Sequence, residues 1–469
     1  MMQNAANTIS LSRDLWKRFS LKLTFLLILA SVPPVFLLIS NRTIPALIYL
    51  AVPFVFLFLC SPRYSFYLFA ALNFIYAPYF MTGFAVHPWD IAAFIFIGAV
   101  IISWFFKYSP TIDKTALDYS IIALIMATVL SAVFAYKPSL SVVPTARIIL
   151  LYFMFRSIYY LAGKMSSFKI LGYFIHIFTL FSLYNCIVFF ASGGSLRIFG
   201  ISGIAFETFC MIGVPVSLAF AIWSEKKAGR FFYSIIFLIN LAATIATMSR
   251  GPLLTLFIAV PVLLFVSHRK AKRMGCNYAR RYVRGFVMVL IPLLLIAVVA
   301  SGYFLLLGER LEELGADQPT GTILLRLSLW KAAFNGFLLD PLTGIGIGNF
   351  RVIDDLLTNL KFDAVRYYIV GMSFHNVFLQ YLSETGLPGA LAIFFLGWTA
   401  FRLGRRIMHK NDQKSDMPLT AALYISSFVF FITIFYMRAW TWGQEGYVLA
   451  IILGLLARVC RPHQISTGR

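Results

Sequence analysis

Apolar runs long enough to form membrane-spanning helices recur along the whole of this 469-residue chain. A helix needs about 20 predominantly apolar residues to cross the hydrocarbon core, where no water satisfies unpaired backbone groups. Barrel strands would instead alternate apolar and polar residues over about 10 residues, a pattern that these runs lack. We therefore predict an all-α, polytopic membrane protein. The predicted spans are 21–39, 45–60, 65–84, 89–106, 118–136, 144–163, 169–191, 203–224, 231–249, 251–267, 285–307, 376–401, 419–436 and 446–459.

The composition agrees with this fold class. Hydrophobic residues make up 60% of the chain and charged residues only 12%, and the mean hydropathy is +0.83. A soluble domain would carry about 25% charged residues. Two of the fourteen predicted segments could merge with a neighbour or enter the membrane without crossing it. We therefore expect about 12 to 14 transmembrane helices.

The net charge of +22 is explained by topology. If the amino terminus is cytoplasmic, alternation of the spans places most of the 40 Lys and Arg residues on the inside, including the basic stretches 269–284 and 402–414. The positive-inside rule then predicts that both termini are cytoplasmic. Attraction to anionic membrane lipids is expected on that side, and nucleic acid binding is not predicted.

One outer connection, residues 308–374, is much longer than the others. We predict three parts: a transmembrane frame (1–307), a periplasmic loop domain (308–374) and C-terminal transmembrane helices (375–469). Within the loop domain, "GTILLRLSLWKAAFNGFLLDP" has helical spacing and ends before Pro341. It predicts a short helix on or near the outer membrane surface.

The stretch "LTGIGIGNF" in the same loop domain has a glycine at every second position, at Gly344, Gly346 and Gly348. Two interpretations stay open, a tight structural turn and a loop whose amides face a phosphate. A dinucleotide fingerprint is excluded by the missing strand and spacing. We also expect the glycines of the loop domain to act as hinges of a lid over bound substrates.

Three residues of the outer side have side chains suited to chemistry. Arg250 ends one span just before a Gly-Pro break, Arg326 lies on the predicted loop helix, and His375 precedes the next span. Each has an ordinary structural alternative: a headgroup contact, a surface arginine and a helix cap, respectively. Together they combine a base with two planar cations, which suits proton abstraction beside a phosphate-bearing leaving group.

Other polar residues are expected to be structural, and no metal site is predicted. The five cysteines form no CxxC pair, which excludes a readable zinc or disulfide framework. Asp354 and Asp355 lack further ligands in view for a divalent ion. Structural roles at helix ends are expected for Arg147, Arg438, Glu384 and Glu445.

Three stretches in fixed order carry a family resemblance: "SRG" from 249, "RLSLWKAAFNGFLLDPLTGIGIGNF" from 326 and "HNVFLQYLSETGLPG" from 375. This order resembles the O-antigen ligase and O-antigen polymerase superfamily, bacterial inner-membrane glycosyltransferases of the GT-C type. The likeness is close over about 248–390. Elsewhere it extends only to a many-helix frame.

The resemblance implies transfer of a glycan from an undecaprenyl diphosphate carrier to a sugar hydroxyl at the periplasmic face, with no cofactor or metal. His375 matches the family histidine that activates the acceptor hydroxyl. Arg250 and Arg326 match arginines that hold the diphosphate, and Arg197 resembles a family arginine that faces the cavity. Attack opposite the leaving group would invert the anomeric centre.

Several functions remain open within and outside this superfamily. A ligase would use the core sugars of lipid A as acceptor, whereas an O-antigen or exopolysaccharide polymerase would use a carrier-linked glycan. The motif "SGIAFE" near Arg197 departs from the polymerase pattern and favours a ligase. A lipid-linked glycan transporter is a further alternative, although no internal repeat is visible. A serine protease using Ser249 and His375 lacks a nucleophile elbow.

Overall fold

The computed structural model describes residues 58–74, 79–81, 84–86, 88–106, 113–192, 205–247, 249–300, 322–352, 374–436 and 443–461. Most of these residues are helical. The helices are α1 (Pro62–Leu72), α2 (Pro88–Phe106), α3 (Ala116–Val133), α4 (Pro138–Leu161), α5 (Ser167–Ala191), α6 (Ala205–Trp223), α7 (Lys227–Ala246), α8 (Arg250–Arg273), α9 (Asn277–Ala300), α10 (Thr322–Leu339), α11 (Val377–Lys410), α12 (Met417–Thr433) and α13 (Gln444–Val459). Two short 3₁₀ turns cover Asn349–Val352 and Lys414–Asp416.

The described residues confirm the predicted all-α, polytopic membrane fold. Within them, nine helices are long and apolar enough to cross a membrane. The predicted total of 12 to 14 helices stays a prediction, because the span 21–39 and most of 45–60 lie outside the described residues. The predicted boundary near residue 307 also lies outside them.

The predicted span 65–84 is wrong as a continuous helix. α1 ends at Leu72, and the strands β1 (Tyr79–Met81) and β2 (Phe84–Val86) form an antiparallel hairpin with Met81 opposite Phe84. Eleven residues extend only about 16 Å as a helix. The sequence after α1 contains asparagine, proline and glycine, which are poor helix formers and favour turns. Hydropathy alone did not separate this broken segment from a span.

The chain divides into two units, one formed by Met1–Phe66 and Phe94–Ser109 and the other by Tyr67–Ala93 and Pro110–Arg469. In the described part of the first unit, the rings of Phe66 and Phe96 pack with centroids 5.7 Å apart. The candidate site and the helices around it belong to the second unit.

Helix α6 is the most buried helix of the second unit among those described, since every residue of Phe206–Trp223 is buried. Helices α7, α8 and α12 pack around it. A helix that is apolar on all faces lies either in a protein core or against lipid, and α6 lies in the core. Gly213 permits close approach, because an added Cβ would overlap the ring of Phe178.

Charged contacts gather where α4, α8, α11 and α13 end, which we call the basic end. Lys270 Nζ donates to Asp412 Oδ1 over 2.8 Å, and Arg156 Nη1 lies 3.2 Å from Asp118 Oδ1. Arg461 forms an ion pair with Asp113. The assignment of this end to the cytoplasmic side stays a prediction.

The opposite ends of these helices form the His375 end, where α11 begins and α12 ends. At this level Asp90 Oδ1 accepts a hydrogen bond of 2.8 Å from Tyr447, and Arg147 Nη2 lies 3.6 Å from Asp90 Oδ2. Arg147 therefore has a structural partner, in agreement with its predicted structural role.

Candidate functional site

The backbone of His375 is in the left-handed region, with φ at 51°. Among the residues that the structure describes, it is the one non-glycine residue with positive φ. This conformation costs an L-residue about 1–2 kcal/mol, and histidine is among the residues that adopt it more often than most. Such strain persists only where the surroundings hold it, and it concentrates at functional sites. The side chain is half-buried.

The residue before His375 is fixed by helix α10. Phe374 is fully buried, and its carbonyl oxygen accepts a hydrogen bond of 3.2 Å from Trp330 Nε1. The rings of Phe350 and Phe374 pack with centroids 3.7 Å apart. Leu329, Ala332 and Ala333 of α10 complete this apolar cluster.

The residue after His375 is fixed by helix α12. Asn376 caps α11 by accepting a hydrogen bond of 3.0 Å from Leu379 N, and its Nδ2 donates to Phe435 O over 2.6 Å. Phe378 N also donates to Ile434 O over 3.0 Å. Because both neighbours of His375 are held, the strained backbone between them is held as well. An asparagine directly before an apolar helical run is a recognisable N-cap signal, which sequence analysis had left unused.

Arg326 lies on α10, one turn before Trp330, and its side chain is half-buried. Residues four apart share one face of a helix. Arg326 therefore lies on the same face of α10 as Trp330, whose indole N–H donates to Phe374 O. The structure thus brings this predicted arginine to the His375 end.

Arg250 is the first residue of α8, and Ser249 is the N-cap. The described residues do not include the Arg250 side chain, so its position is known only from the backbone. One turn later, Thr255 Oγ1 lies 2.8 Å from Tyr436 OH, and Tyr436 directly follows the residue that Asn376 contacts. The start of α8 therefore also lies at the His375 end.

The remaining predicted site residue, Arg197, lies outside the described residues, so its role stays a prediction. Asp354, Asp355 and Arg438 lie outside them as well. Among the residues that the structure describes, no group of three or more His, Cys, Asp or Glu side chains is positioned to hold a metal ion.

The glycine-rich loop is a tight structural turn rather than a phosphate-facing loop. Its amides already have partners: Ile345 N donates to Ser383 O and Gly346 N to Glu384 O, each over 3.0 Å. Ile347 N donates to Ser131 Oγ, also over 3.0 Å. Amides that are bonded to protein oxygens cannot also hold a phosphate.

The three glycines of this loop lie in close contact with neighbouring backbone, and the lid hypothesis stays a prediction. Gly344, Gly346 and Gly348 have φ values of 68°, 103° and 79°, which favour glycine over any other residue. An added Cβ would lie 2.6 Å from Glu384 O at Gly344 and 2.9 Å from Leu140 O at Gly348. Any side chain larger than hydrogen at these positions would therefore overlap the neighbouring backbone.

A break in α11 explains why the loop docks there. Gly386 has φ 65° and ψ −167°, which interrupts the helix. Helix ends leave carbonyl groups without intrahelical partners, and inside a membrane protein those groups require other donors. The glycine-rich loop supplies donors to Ser383 and Glu384, and Leu387 N in turn donates to Pro341 O over 2.9 Å. The buried Glu384 carboxylate accepts a hydrogen bond of 3.3 Å from Gln380 Nε2.

Asp340 begins the turn between α10 and the loop. Hydrogen bonds from the Thr343 hydroxyl and amide, together with one from the Leu342 amide, hold the pKa of the Asp340 carboxyl below its usual range. The carboxylate therefore stabilises the turn that connects the arginine-bearing helix to the loop.

A comparison with known protein families matches this part of the chain. The model of a family described as O-antigen ligase matches residues 235–394. The match begins within α7 and ends within α11, so it includes Arg250, Arg326 and His375. No curated protein matches the chain. Over residues 235–394, the predicted relationship to the O-antigen ligase and O-antigen polymerase superfamily is confirmed.

Proposed function

We propose that this protein is an O-antigen ligase. It would move a glycan from an undecaprenyl diphosphate carrier to a sugar hydroxyl of the lipid A core, in lipopolysaccharide biosynthesis. The reaction would take place at the periplasmic face of the bacterial inner membrane, with both termini cytoplasmic. The family match supports this proposal. The observation that carries it is the strained His375, held between α10 and α12 beside two arginine-bearing helices.

In this proposal His375 is the general base. Its imidazole takes the proton of the acceptor hydroxyl while the hydroxyl oxygen bonds to the anomeric carbon. The bond between that carbon and the diphosphate oxygen breaks, and its electron pair leaves with the carrier diphosphate. Because the acceptor attacks opposite the leaving group, the anomeric configuration inverts. Fixed neighbours on both sides of His375 suit a base that must meet the hydroxyl in one geometry.

Arg250, Arg326 and Arg197 would bind the diphosphate. Guanidinium groups remain charged and bind phosphate oxygens through two parallel hydrogen bonds. Backbone N–H groups in the first turn of α8, beside Arg250, would also donate hydrogen bonds to the diphosphate. Neutralising the charge on the leaving diphosphate lowers the barrier to glycosyl transfer, and it does so most when the hydrogen-bond donors are already in position. Metal-independent transfer is expected on this basis.

The first experiment identifies the product. Purified protein in detergent and EDTA is incubated with undecaprenyl diphosphate glycan and either lipid A core or a carrier-linked acceptor. We expect glycosylated lipid A core with an inverted linkage, measured by mass spectrometry and NMR. Lengthening of the carrier-linked glycan alone would assign a polymerase. No product from an active donor would favour a lipid-linked glycan transporter.

A second experiment tests the arginines. Arg326→Gln is compared with Lys331→Gln, which changes an exposed cation on the same helix. Loss of a hydrogen bond to a charged group costs roughly 1.5–3 kcal/mol, so kcat/KM for the donor should fall roughly 10- to 100-fold in Arg326→Gln. Lys331→Gln should match wild type. Equal rates for both variants would remove Arg326 from the donor site.

A further inference from the structure

A cavity of about 800 Å³ lies at the basic end, far from His375. It is bounded by the last turns of α11 and α13, the start of α12 and the connection from α4 to α5. Arg406 lines it, and this residue lies roughly 40 Å along α11 from Val377. A second cavity of about 410 Å³ shares Arg406, Cys460 and Arg461 with it. The proposed glycosyl transfer uses neither cavity.

The lining of the larger cavity is rich in cations. Arg406, Lys410, Arg458 and Arg461 face two acids, Asp412 and Asp416. Within the described part of the chain, Arg406, Lys410 and Arg458 lie within ion-pair distance of no carboxylate. Among the described residues, no carboxylate pairs with the positive charge of these three side chains.

One of the two acids, Asp412, is already neutralised from outside the cavity. Its Oδ1 accepts a hydrogen bond of 2.8 Å from Lys270 Nζ, and its Oδ2 lies 3.6 Å from Arg273 Nη2. The hydrogen bond from Lys270 and the charges of both cations lower the pKa of the Asp412 carboxyl. Arg461 is likewise paired, with Asp113. The net field inside the cavity therefore comes from Arg406, Lys410 and Arg458, opposed by Asp416.

Arg458 is held in place before any ligand binds. Its guanidinium carbon lies 5.7 Å from the centroid of the Tyr159 ring. Gly163 lies beside the same guanidinium, since a Cβ added there would be in ordinary van der Waals contact with it at 3.4 Å. A pre-positioned guanidinium loses little freedom when it binds an oxyanion.

The cavity also has an apolar side, formed by Ala162, Ile407, Leu419 and Val459. It opens where candidate spans end, the level at which lipid headgroups lie. A soluble anion would need only the cations, whereas a lipid needs cations for its phosphate and apolar surface for its chains. We propose that this cavity binds the phosphate of an anionic phospholipid. This site is independent of the glycosyl transfer proposed above.

Equilibrium binding of radiolabelled phosphatidylglycerol to the full chain in detergent tests the proposal. Phosphatidylcholine with the same acyl chains and inorganic phosphate are the comparison ligands. We expect wild type to bind phosphatidylglycerol at least about tenfold more tightly than phosphatidylcholine. Both lipids carry a phosphate, but the choline cation of phosphatidylcholine is repelled by Arg406, Lys410 and Arg458. Inorganic phosphate that competes fully with the lipid would assign a free phosphate site and overturn the lipid proposal.

The double variant Arg406→Gln/Arg458→Gln should lose this preference for phosphatidylglycerol. Arg402→Gln, an exposed arginine of α11 that lines neither cavity, should keep it. If the double glutamine variant does not fold, Arg406→Lys/Arg458→Lys retains the charges without the planar forks, and its preference should be intermediate. An unchanged preference in either folded double variant, or an equal loss in Arg402→Gln, would contradict the proposal.

Discussion

The indole N–H of Trp330 donates a 3.2 Å hydrogen bond to the carbonyl oxygen of Phe374, the residue directly before His375. This bond joins the helix that carries Arg326 to the start of α11. Asn376, directly after His375, bonds to Phe435 at the end of α12. Two separate helices thus hold the strained histidine backbone from both sides.

Removing the Trp330 donor should therefore impair catalysis more than folding. Trp330→Phe keeps an apolar ring in the cluster but leaves Phe374 O without its partner, which costs roughly 0.5–1.5 kcal/mol. We expect the transfer rate to fall roughly 3- to 10-fold at an unchanged KM for the donor. The exposed Trp398→Phe serves as control. Equal transfer rates in the two variants would show that Trp330 does not position His375.

Glycine usually destabilises a folded protein relative to alanine, but the backbone strain at His375 predicts the opposite order at this position. His375→Gly should unfold at a higher temperature in detergent than His375→Ala, because glycine relieves about 1 kcal/mol of strain at positive φ. Both variants remove the imidazole and should lack transfer activity. Thermal unfolding of the two purified variants measures the difference. A lower midpoint for glycine would show that φ at this position is not positive.

Close packing of the glycine-rich loop makes Gly346→Ala strongly destabilising. At Gly346, with φ 103°, the added Cβ would lie 2.7 Å from Asn349 Nδ2 and 2.8 Å from Ala135 Cα. We expect overpacking and strain to cost about 2 kcal/mol or more. Gly275→Ala is the matched control, since Gly275 also has positive φ but nothing lies within 4 Å of the added Cβ. It should lose only about 1 kcal/mol. Similar unfolding midpoints would argue against the docked loop.

The hydroxyl of Ser131 connects the loop to the break in α11, so Ser131→Ala should destabilise the fold. The hydroxyl donates to Glu384 O over 2.6 Å and accepts from Ile347 N over 3.0 Å. Its loss leaves two buried backbone groups without this partner, at a cost of about 1–3 kcal/mol. Ser120→Ala, in a more exposed turn of the same helix, should have a much smaller effect. Thermal unfolding in detergent separates the two variants.

The turn at Asp340 should weaken in acid. Its folded pKa is lowered, so its contribution to stability is present above the unfolded value, near 3.8, and is lost as pH falls through the folded value. Asp340→Asn should therefore be less stable than wild type at pH 7. The difference should shrink as pH falls below about 4. Unfolding midpoints of both proteins across pH 3–7 check this, and a constant difference would contradict it.

Most of the helical frame was predictable because the membrane imposes a simple rule on apolar runs. The helices at Ala116–Val133 and Ser167–Ala191 begin and end within a few residues of the predicted spans. The segment 65–84 failed because hydropathy counts apolar residues without regard to backbone geometry. A Pro and a Thr-Gly pair within it are turn signals that hydropathy ignores.

The site was only partly predictable, because the deciding contacts join residues far apart in the chain. Arg250, Arg326 and His375 were named from residue type, order and family resemblance. The bond from Trp330 to Phe374 spans 44 residues, and no local pattern encodes it. The glycine-rich loop was ambiguous for a physical reason: glycines suit both a tight turn and a phosphate cradle. Distant donors and acceptors on α3 and α11 decided between them.

Single-turnover transfer of glycan to lipid A core, in detergent with EDTA, tests the central role of His375 most directly. Wild type is compared with His375→Ala and with His409→Gln, which changes an exposed histidine at the basic end. General-base catalysis contributes roughly 10²- to 10⁴-fold, so His375→Ala should lose at least about 100-fold in rate while His409→Gln matches wild type. A folded His375→Ala protein that transfers glycan at the wild-type rate would contradict the account.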